Sequence, residues 1–426
     1  MKGRLWWVVV ASVGIALFAG GVSVAQGSNV IHFLSVQQET EGFTRIIGEL
    51  AREYETQHPN VQYKYEFVAQ TDLLRRIQLL AANRNLPTLF NYESGQPLRQ
   101  LIDSGLVLDI EATFKELGLY DRLNPAAVKL LKGLVGDAGL YALPLELNVE
   151  GFWYNKELFA RYGLGVPQTW DDLLQAAETF HRNGIQPFAV SGIQKWPITR
   201  LINGYVMRRY GHDVMARVQR AELKVTDEGF IEAARVVQEM GLKGYFGRGV
   251  NTLDYAPAQD LFLQGRAAMY YMGSWALRDF NNPQVNLIGP ENIGFFNIPL
   301  VEDGVGTLAD YSINAGLTTS ISSNAYDAEL GEWLKYVFAR YGDRAMSVLG
   351  MITGFRVEAV PHDVPALTRL VLEHLDQAQN GAPWFEAYFG PRATSVAWDN
   401  AQLLVTGDIT PEQYMAELQR ALDGER

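Results

Sequence analysis

Nine consecutive residues, Met269-Tyr270-Tyr271-Met272-Gly273-Ser274-Trp275-Ala276-Leu277, read as a buried strand, a tight turn and a helix whose first turn carries an indole. Gly273 leaves room for a close approach to the backbone, Ser274 is placed to cap the helix, and Trp275 is thereby held at a rigid corner. A corner of this kind aims a large aromatic face at a ligand; plugging of the core is the competing reading. Groups that break bonds are harder to find. No HExxH, GxSxG or phosphate-loop pattern occurs, and there is no cysteine to supply a thiolate or a lipid attachment point. The six histidines, at positions 32, 58, 181, 212, 362 and 374, never fall at metal-ligand spacing on one helix. With 48 acidic residues a pair of carboxylates can always be nominated, so composition does not argue for glycoside hydrolysis. The expectation is a protein that binds without chemistry and needs no cofactor or metal.

The elements that must position such residues follow from periodicity. Residues 30–36 form an apolar strand, Ile46, Ile47, Leu50, Ala51 and Tyr54 recur at helical spacing, and 61–67 alternate as in a half-buried strand. Thr71 caps a second helix, and 87–90 form a short strand ending in the polar turn Asn91-Tyr92-Glu93-Ser94-Gly95. This order is α/β with a largely parallel sheet, beyond whose strand ends ligands collect. Residues 139–144 read as the return strand of a hairpin that runs on to Tyr154. Thr169 and Asp172 make a capping box, and Trp196 lies in a loop between Gly192 and Pro197.

Lys2 and Arg4 precede an apolar run closed by small residues, so 1–25 is expected to be a cleaved export signal, a retained membrane anchor being the alternative. About four hundred further residues call for two domains. The formal charge of −12, more negative still without Lys2 and Arg4, repels nucleic acid and anionic lipid. A free, exported monomer that binds no nucleic acid is the expectation.

Several motifs occur together in order. They are Tyr141-Ala142-Leu143-Pro144 followed by Tyr154-Asn155-Lys156-Glu157-Leu158-Phe159, then Pro167-Gln168-Thr169-Trp170-Asp171-Asp172-Leu173. Phe262-Leu263-Gln264-Gly265-Arg266-Ala267-Ala268-Met269, Gly273-Ser274-Trp275-Ala276 and Ile321-Ser322-Ser323 complete the set. With these the chain resembles the extracellular solute-binding proteins of ABC sugar importers, the maltodextrin-binding-protein-like group. The resemblance implies a two-lobed periplasmic-binding-protein fold of type II-like form, with a ligand cleft between the lobes. It places lobe 1 at 28–145 plus 315–355 and lobe 2 at 146–314 plus 356–426. It also implies a carbohydrate ligand and, as partners, the transmembrane subunits of an ABC permease. Asn91-Tyr92-Glu93 and Asp310-Tyr311 depart from the family's usual residues and leave the ligand's identity open.

Sugars present apolar C–H faces and polar edges, so their pockets need aromatic plates and a hydrogen-bonding rim. Trp196, Trp275 and Gly273, with Tyr92 and Tyr311, are the candidates for the plates and their corner. Gln38, Glu93, Asn148, Asp310 and Arg356 are the candidates for the rim. Trp384 and Phe385 are set behind these, and Trp153, Trp170, Trp333 and Trp398 are assigned to packing. The rival readings are a glycoside hydrolase, a polyamine or peptide receptor, and a ferric-ion receptor using Tyr270 and Tyr271, whose rings should point to opposite faces of a strand.

Overall fold

The computed structural model describes residues 29–358 and 360–425, so the expected export signal lies outside the described residues. In chain order the strands are β1 (Asn29–Ser35), β2 (Val61–Phe67), β3 (Leu89–Asn91), β4 (Asn148–Asn155), β5 (Gln186–Ala189), β6 (Ala267–Gly273), β7 (Ile293–Phe296), β8 (Asp310–Asn314), β9 (Thr319–Ile321) and β10 (Asn380–Ala382). They form two sheets. The first runs β2-β1-β3-β9, with β1 parallel to β2 and β3, because the helices Gly42–Gln57 and Gln70–Ala82 carry the chain back between strands. β9 arrives from far along the sequence and pairs antiparallel with β3.

The second sheet runs β10-β8-β4-β6-β5, with β7 also pairing β4. β4 is antiparallel to β6, β7 and β8 and is buried along almost its whole length, as expected for a strand covered on both faces. Each sheet has its own apolar core. One gathers β1, β3, β9 and the helix Ala328–Phe338 around the buried Trp333. Another packs Phe152, Trp170 and Tyr271 against the helices Trp196–Tyr210 and Glu228–Leu242. A third, around Trp153 and Tyr270 on the other face of β6, also takes in Ala127, Met346 and Ile352 from beside the first sheet. Tyr270 and Tyr271 thus lie in different cores, as strand alternation requires.

Two local expectations need correction. Residues 139–147 form no strand beyond a single bridge from Leu143 to Thr319, and the regular strand starts only at Asn148. Pro144 lacks a ladder donor, and this is where the chain leaves one sheet for the other. Thr71 lies inside its helix, whose N-cap is Ala69. The capping box of Thr169 and Asp172 forms as read.

Candidate ligand site

Three aromatic rings meet where the second sheet faces the first. Trp196 is the first residue of the helix Trp196–Tyr210 rather than part of a loop, because Pro197 suits a first helical turn. Lys195 before it sits in the left-handed region at φ 62, so the chain turns sharply into that helix. Gly192 lies against the Val250 carbonyl, where any Cβ would collide, and this seats the loop on the segment leading to the helix Tyr255–Leu263. The Trp196 ring lies 5.9 Å from that of Trp275 at 67° and 6.5 Å from that of Tyr255 at 35°. The indole nitrogen of Trp275 donates to the Tyr255 hydroxyl at 3.1 Å, which fixes the ring's rotation. All three rings are partly exposed.

Gly273 plays a different part from the one its sequence context suggests. The Trp275 ring folds back over it, and a Cβ there would strike the indole, so the space glycine leaves is filled by the protein itself. Ser274 does not cap the following turn. Its hydroxyl accepts from the Val149 amide at 3.3 Å and donates to Asn148 Oδ1 at 3.0 Å, tying the corner after β6 to the start of β4.

At one end of this wall stands Arg200, one turn beyond Trp196. Its Nε donates to Glu150 at 3.1 Å and its Nη1 to Glu386 at 2.9 Å. The guanidinium also lies over the rings of Trp196, at 5.4 Å, and Trp384, at 5.8 Å. Glu150 accepts from Asn314, while Glu386 accepts from Thr199 and, at 3.1 Å, from the Trp398 indole. Burial weakens the guanidinium's hold on its proton, and the carboxylates of Glu150 and Glu386 more than reverse this. Trp384 belongs to the core of the first sheet, and Gly95 packs on the backbone of Ala387, so the segment carrying Glu386 bridges both halves. Glu93 comes from the first half, after β3. Burial pushes its carboxyl up to about 7 against the pull of Arg200, with Glu386 adding to the rise.

At the other end lies Glu146, in the segment passing between the sheets. It is 7% exposed, beside Gln37 from the end of β1 and Asn148 from the start of β4. Burial pushes its carboxyl up to about 7, with Gln37 and Asn148 opposing the rise. Gln37 turns its amide nitrogen to Glu146, while its Oε1 packs against Gly42 without a hydrogen-bond donor.

The sequence-selected residues therefore divide. Trp196, Trp275, Gly273, Asn148 and Glu93 come together at this face. Gln38 is exposed, and its backbone carbonyl accepts from Thr44, while Gln37 is the glutamine turned toward Glu146. Tyr92 is buried in the first core against Phe90, and its hydroxyl is pushed up to about 12 by burial. Asp310 is occupied by the Thr307 amide at 2.7 Å and the Asn380 side chain at 2.8 Å. Tyr311 is buried with its hydroxyl 2.9 Å from His374 Nδ1. Arg356 is exposed at a separate surface hollow of about 410 Å³ with Tyr120 and Lys129. Those five side chains serve packing or the surface instead of the aromatic wall. Tyr255, Arg200, Glu146, Glu150 and Glu386 went unselected, although Glu146 and Glu150 each stand two residues from the selected Asn148.

Comparison with known proteins gives this arrangement a context. Among curated relatives, the multiple sugar-binding protein of Streptococcus mutans is 23% identical over 305 residues, 68% of this chain and 67% of that one. An uncharacterized ABC transporter extracellular-binding protein of Pyrococcus horikoshii is 24% identical over 244 residues. That match covers 55% of this chain and 54% of the relative, so the chain spans about half the length of some of the curated proteins it matches. Among solved structures, a chitin oligosaccharide binding protein superposes with a TM-score of 0.84 at 24% identity, covering 93% of this chain and 98% of that one. A chain from work on xylan utilization by Caldanaerobius polysaccharolyticus gives 0.82 at 22% identity, covering 92% and 99%. These likenesses show the fold, a two-lobed one whose lobes are the two sheets with their helices. The model of the bacterial extracellular solute-binding proteins matches residues 37–340, most of the described chain, and the protein belongs to that family.

Proposed function

We propose that the protein binds a sugar or oligosaccharide between its lobes and hands it, unchanged, to the transmembrane subunits of an ABC permease. The lobes in this reading comprise 28–145 plus 315–355 and 146–314 plus 356–426, with an export signal at 1–25 cleaved to release a periplasmic or extracellular protein. The observation that carries it is the wall of Trp196, Tyr255 and Trp275, whose partly exposed rings stand beside carboxyl and amide groups from both halves. Aromatic faces pack on sugar C–H surfaces while polar groups take the hydroxyls. The names of relatives agree in class: one is a multiple sugar-binding protein, and one solved neighbour is a complex with raffinose. A ligand touching both lobes has the differential affinity needed to shift them from open to closed.

The test is a thermal-shift screen against mono- and oligosaccharides, because a ligand that binds only the folded state raises its melting point. A hit should bind saturably and be recovered intact; turnover of the sugar would make the protein a glycoside hydrolase instead. For that hit, Trp275→Ala and Trp196→Ala should each weaken binding by roughly 1–3 kcal/mol, the loss expected at an aromatic hot spot. Folded variants that bind as tightly as wild type would remove the wall from the site.

A further inference from the structure

Two segments cross side by side between the sheets. Residues 143–148 leave the first sheet at the bridge between Leu143 and Thr319 and enter the second at β4, while 314–319 run the other way from β8 to β9. The segments are pinned to each other at both ends, by that bridge and by the pairing of Asn148 with Asn314. Between the pins no residue of either segment belongs to a strand, so the few dihedrals about which two lobes can turn are found there. Glu146 lies between the pins on one segment and Gly316 on the other. A Cβ on Gly316, whose φ is 67, would collide with Glu146 Oε2, so the carboxyl fills the gap between the segments. The backbone on either side of Glu146 is held. The Leu145 carbonyl accepts from the Tyr341 hydroxyl at 2.7 Å, and the Leu147 amide donates to the Ile352 carbonyl at 3.1 Å. Both lobes enclose the carboxyl, with Gln37 and Tyr341 on the side of the first sheet and Asn148 and Tyr255 on the side of the second.

We propose that Glu146 is a proton-operated catch in the hinge, holding the lobes together while it carries its proton and letting them part when it ionises, so that solute is gripped in acid and released toward alkaline pH. A neutral carboxyl can be enclosed by amides at small cost, whereas a carboxylate needs a cation or water. No cation faces Glu146 among the described residues. The titratable groups that do face it are the hydroxyls of Tyr255 and Tyr341, which burial keeps protonated. Arg278 and Asp279, which face Tyr255, pair with each other at 2.8 Å, and residues 314–318 carry no titratable side chain. Parting of the lobes draws Gln37 and Tyr341 away and admits water, which favours the ionised form. Burial lifts the carboxyl from 4.5 to about 7 in the enclosed arrangement. The advantage of that arrangement is therefore complete below 4.5 and is lost as pH rises through about 7.

The proposal goes beyond the sugar-binding reading, and its test needs no ligand. Small-angle X-ray scattering of the full chain, without added sugar, would be recorded from about pH 5 to about pH 8.5. The ratio of closed to open lobes should fall about tenfold across this range, the change that one unit of proton affinity given up on opening produces, and the radius of gyration should rise with it. Glu146→Gln keeps the shape of the side chain without its charge and should stay compact throughout. Gln37→Met removes an amide that favours the charged form, so it should move the midpoint of opening to higher pH. A wild-type radius that ignores pH overturns the proposal. So does a Glu146→Gln radius that follows wild type or is large at every pH, and so does a midpoint that stays put or falls in Gln37→Met. None of these results touches the sugar-binding reading, which fails only if the thermal-shift screen finds no sugar.

Discussion

The two ends of the aromatic wall are built from the same kinds of residue in opposite states. Around Arg200 a buried cation is met by two buried carboxylates, each of which also accepts from a neighbouring side chain, and two indoles cover the guanidinium. Around Glu146 a buried carboxyl meets only the amide side chains of Gln37 and Asn148 and no cation among the described residues. A buried carboxylate with a cation stays charged, while one without a cation holds its proton to higher pH. The Arg200 end is therefore a charged scaffold, joining the second lobe to the bridging segment at Trp384, and the Glu146 end changes its charge near neutral pH.

The sharpest way to break this comparison is Arg200→Met. Removing one partner of a buried ion pair leaves the others uncompensated, and the loss should be about 3–5 kcal/mol. Urea denaturation measures it, and a loss below about 1 kcal/mol would show the network to be hydrated and dispensable.

The Glu146 end should instead report itself through pH. Its carboxyl is raised from the ordinary 4.5 to about 7 by burial, so the folded state holds the proton more tightly than the unfolded chain does. The corresponding stability is complete below the unfolded value and is lost as pH rises through about 7, on the order of 2–3 kcal/mol in all. The stability difference between wild type and Glu146→Gln should move by that order between about pH 5 and pH 8, wild type falling as pH rises. A difference independent of pH would place Glu146 in water.

How far the sequence foretold this contrast depends on the range of the interactions involved. Strand alternation at 61–67, the helix around Ile46 to Tyr54 and the capping box at Thr169 are local, and they form as read apart from the cap at Thr71. Trp196 was legible because Pro197 beside it suits a first helical turn, and Trp275 because Gly273, two residues before it, leaves room for a ring. The Arg200 network was not, since Glu150, Arg200, Asn314 and Glu386 come from four separate segments and meet only through the topology of the second sheet. Asp310 and Tyr311 misled for a related reason: they lie on β8, but the loop before it and His374 claim their polar atoms. At Gln37 and Gln38 the neighbouring residues point different ways, and nothing local says which one turns inward.

Between the two ends, Tyr255 sets the pitch of the wall through the bond it accepts from Trp275. Tyr255→Phe keeps the ring but removes that acceptor, leaving a partly buried indole N–H unpaired. A cost of about 1 kcal/mol is expected, in both stability and affinity for the bound sugar. Equal affinity with lowered stability would mean that the ligand itself restores the orientation of Trp275.

The smallest effect should come from the ion pair that joins the lobes directly, Arg278 to Glu41 at 3.3 Å. Both side chains are nearly half exposed, at 49% and 43%, and Arg278 keeps Asp279 as an alternative partner. Exposed pairs contribute about 0–1 kcal/mol, so Glu41→Gln should leave the melting point almost unchanged. Its influence falls on the balance between open and closed lobes, because the bond exists only when they approach. A bond of this size shifts that balance, and hence ligand affinity, by less than about fivefold, and the shift should vanish in high salt. A larger or salt-insensitive change would show that lobe closure is held by this surface contact as much as by the wall beneath it.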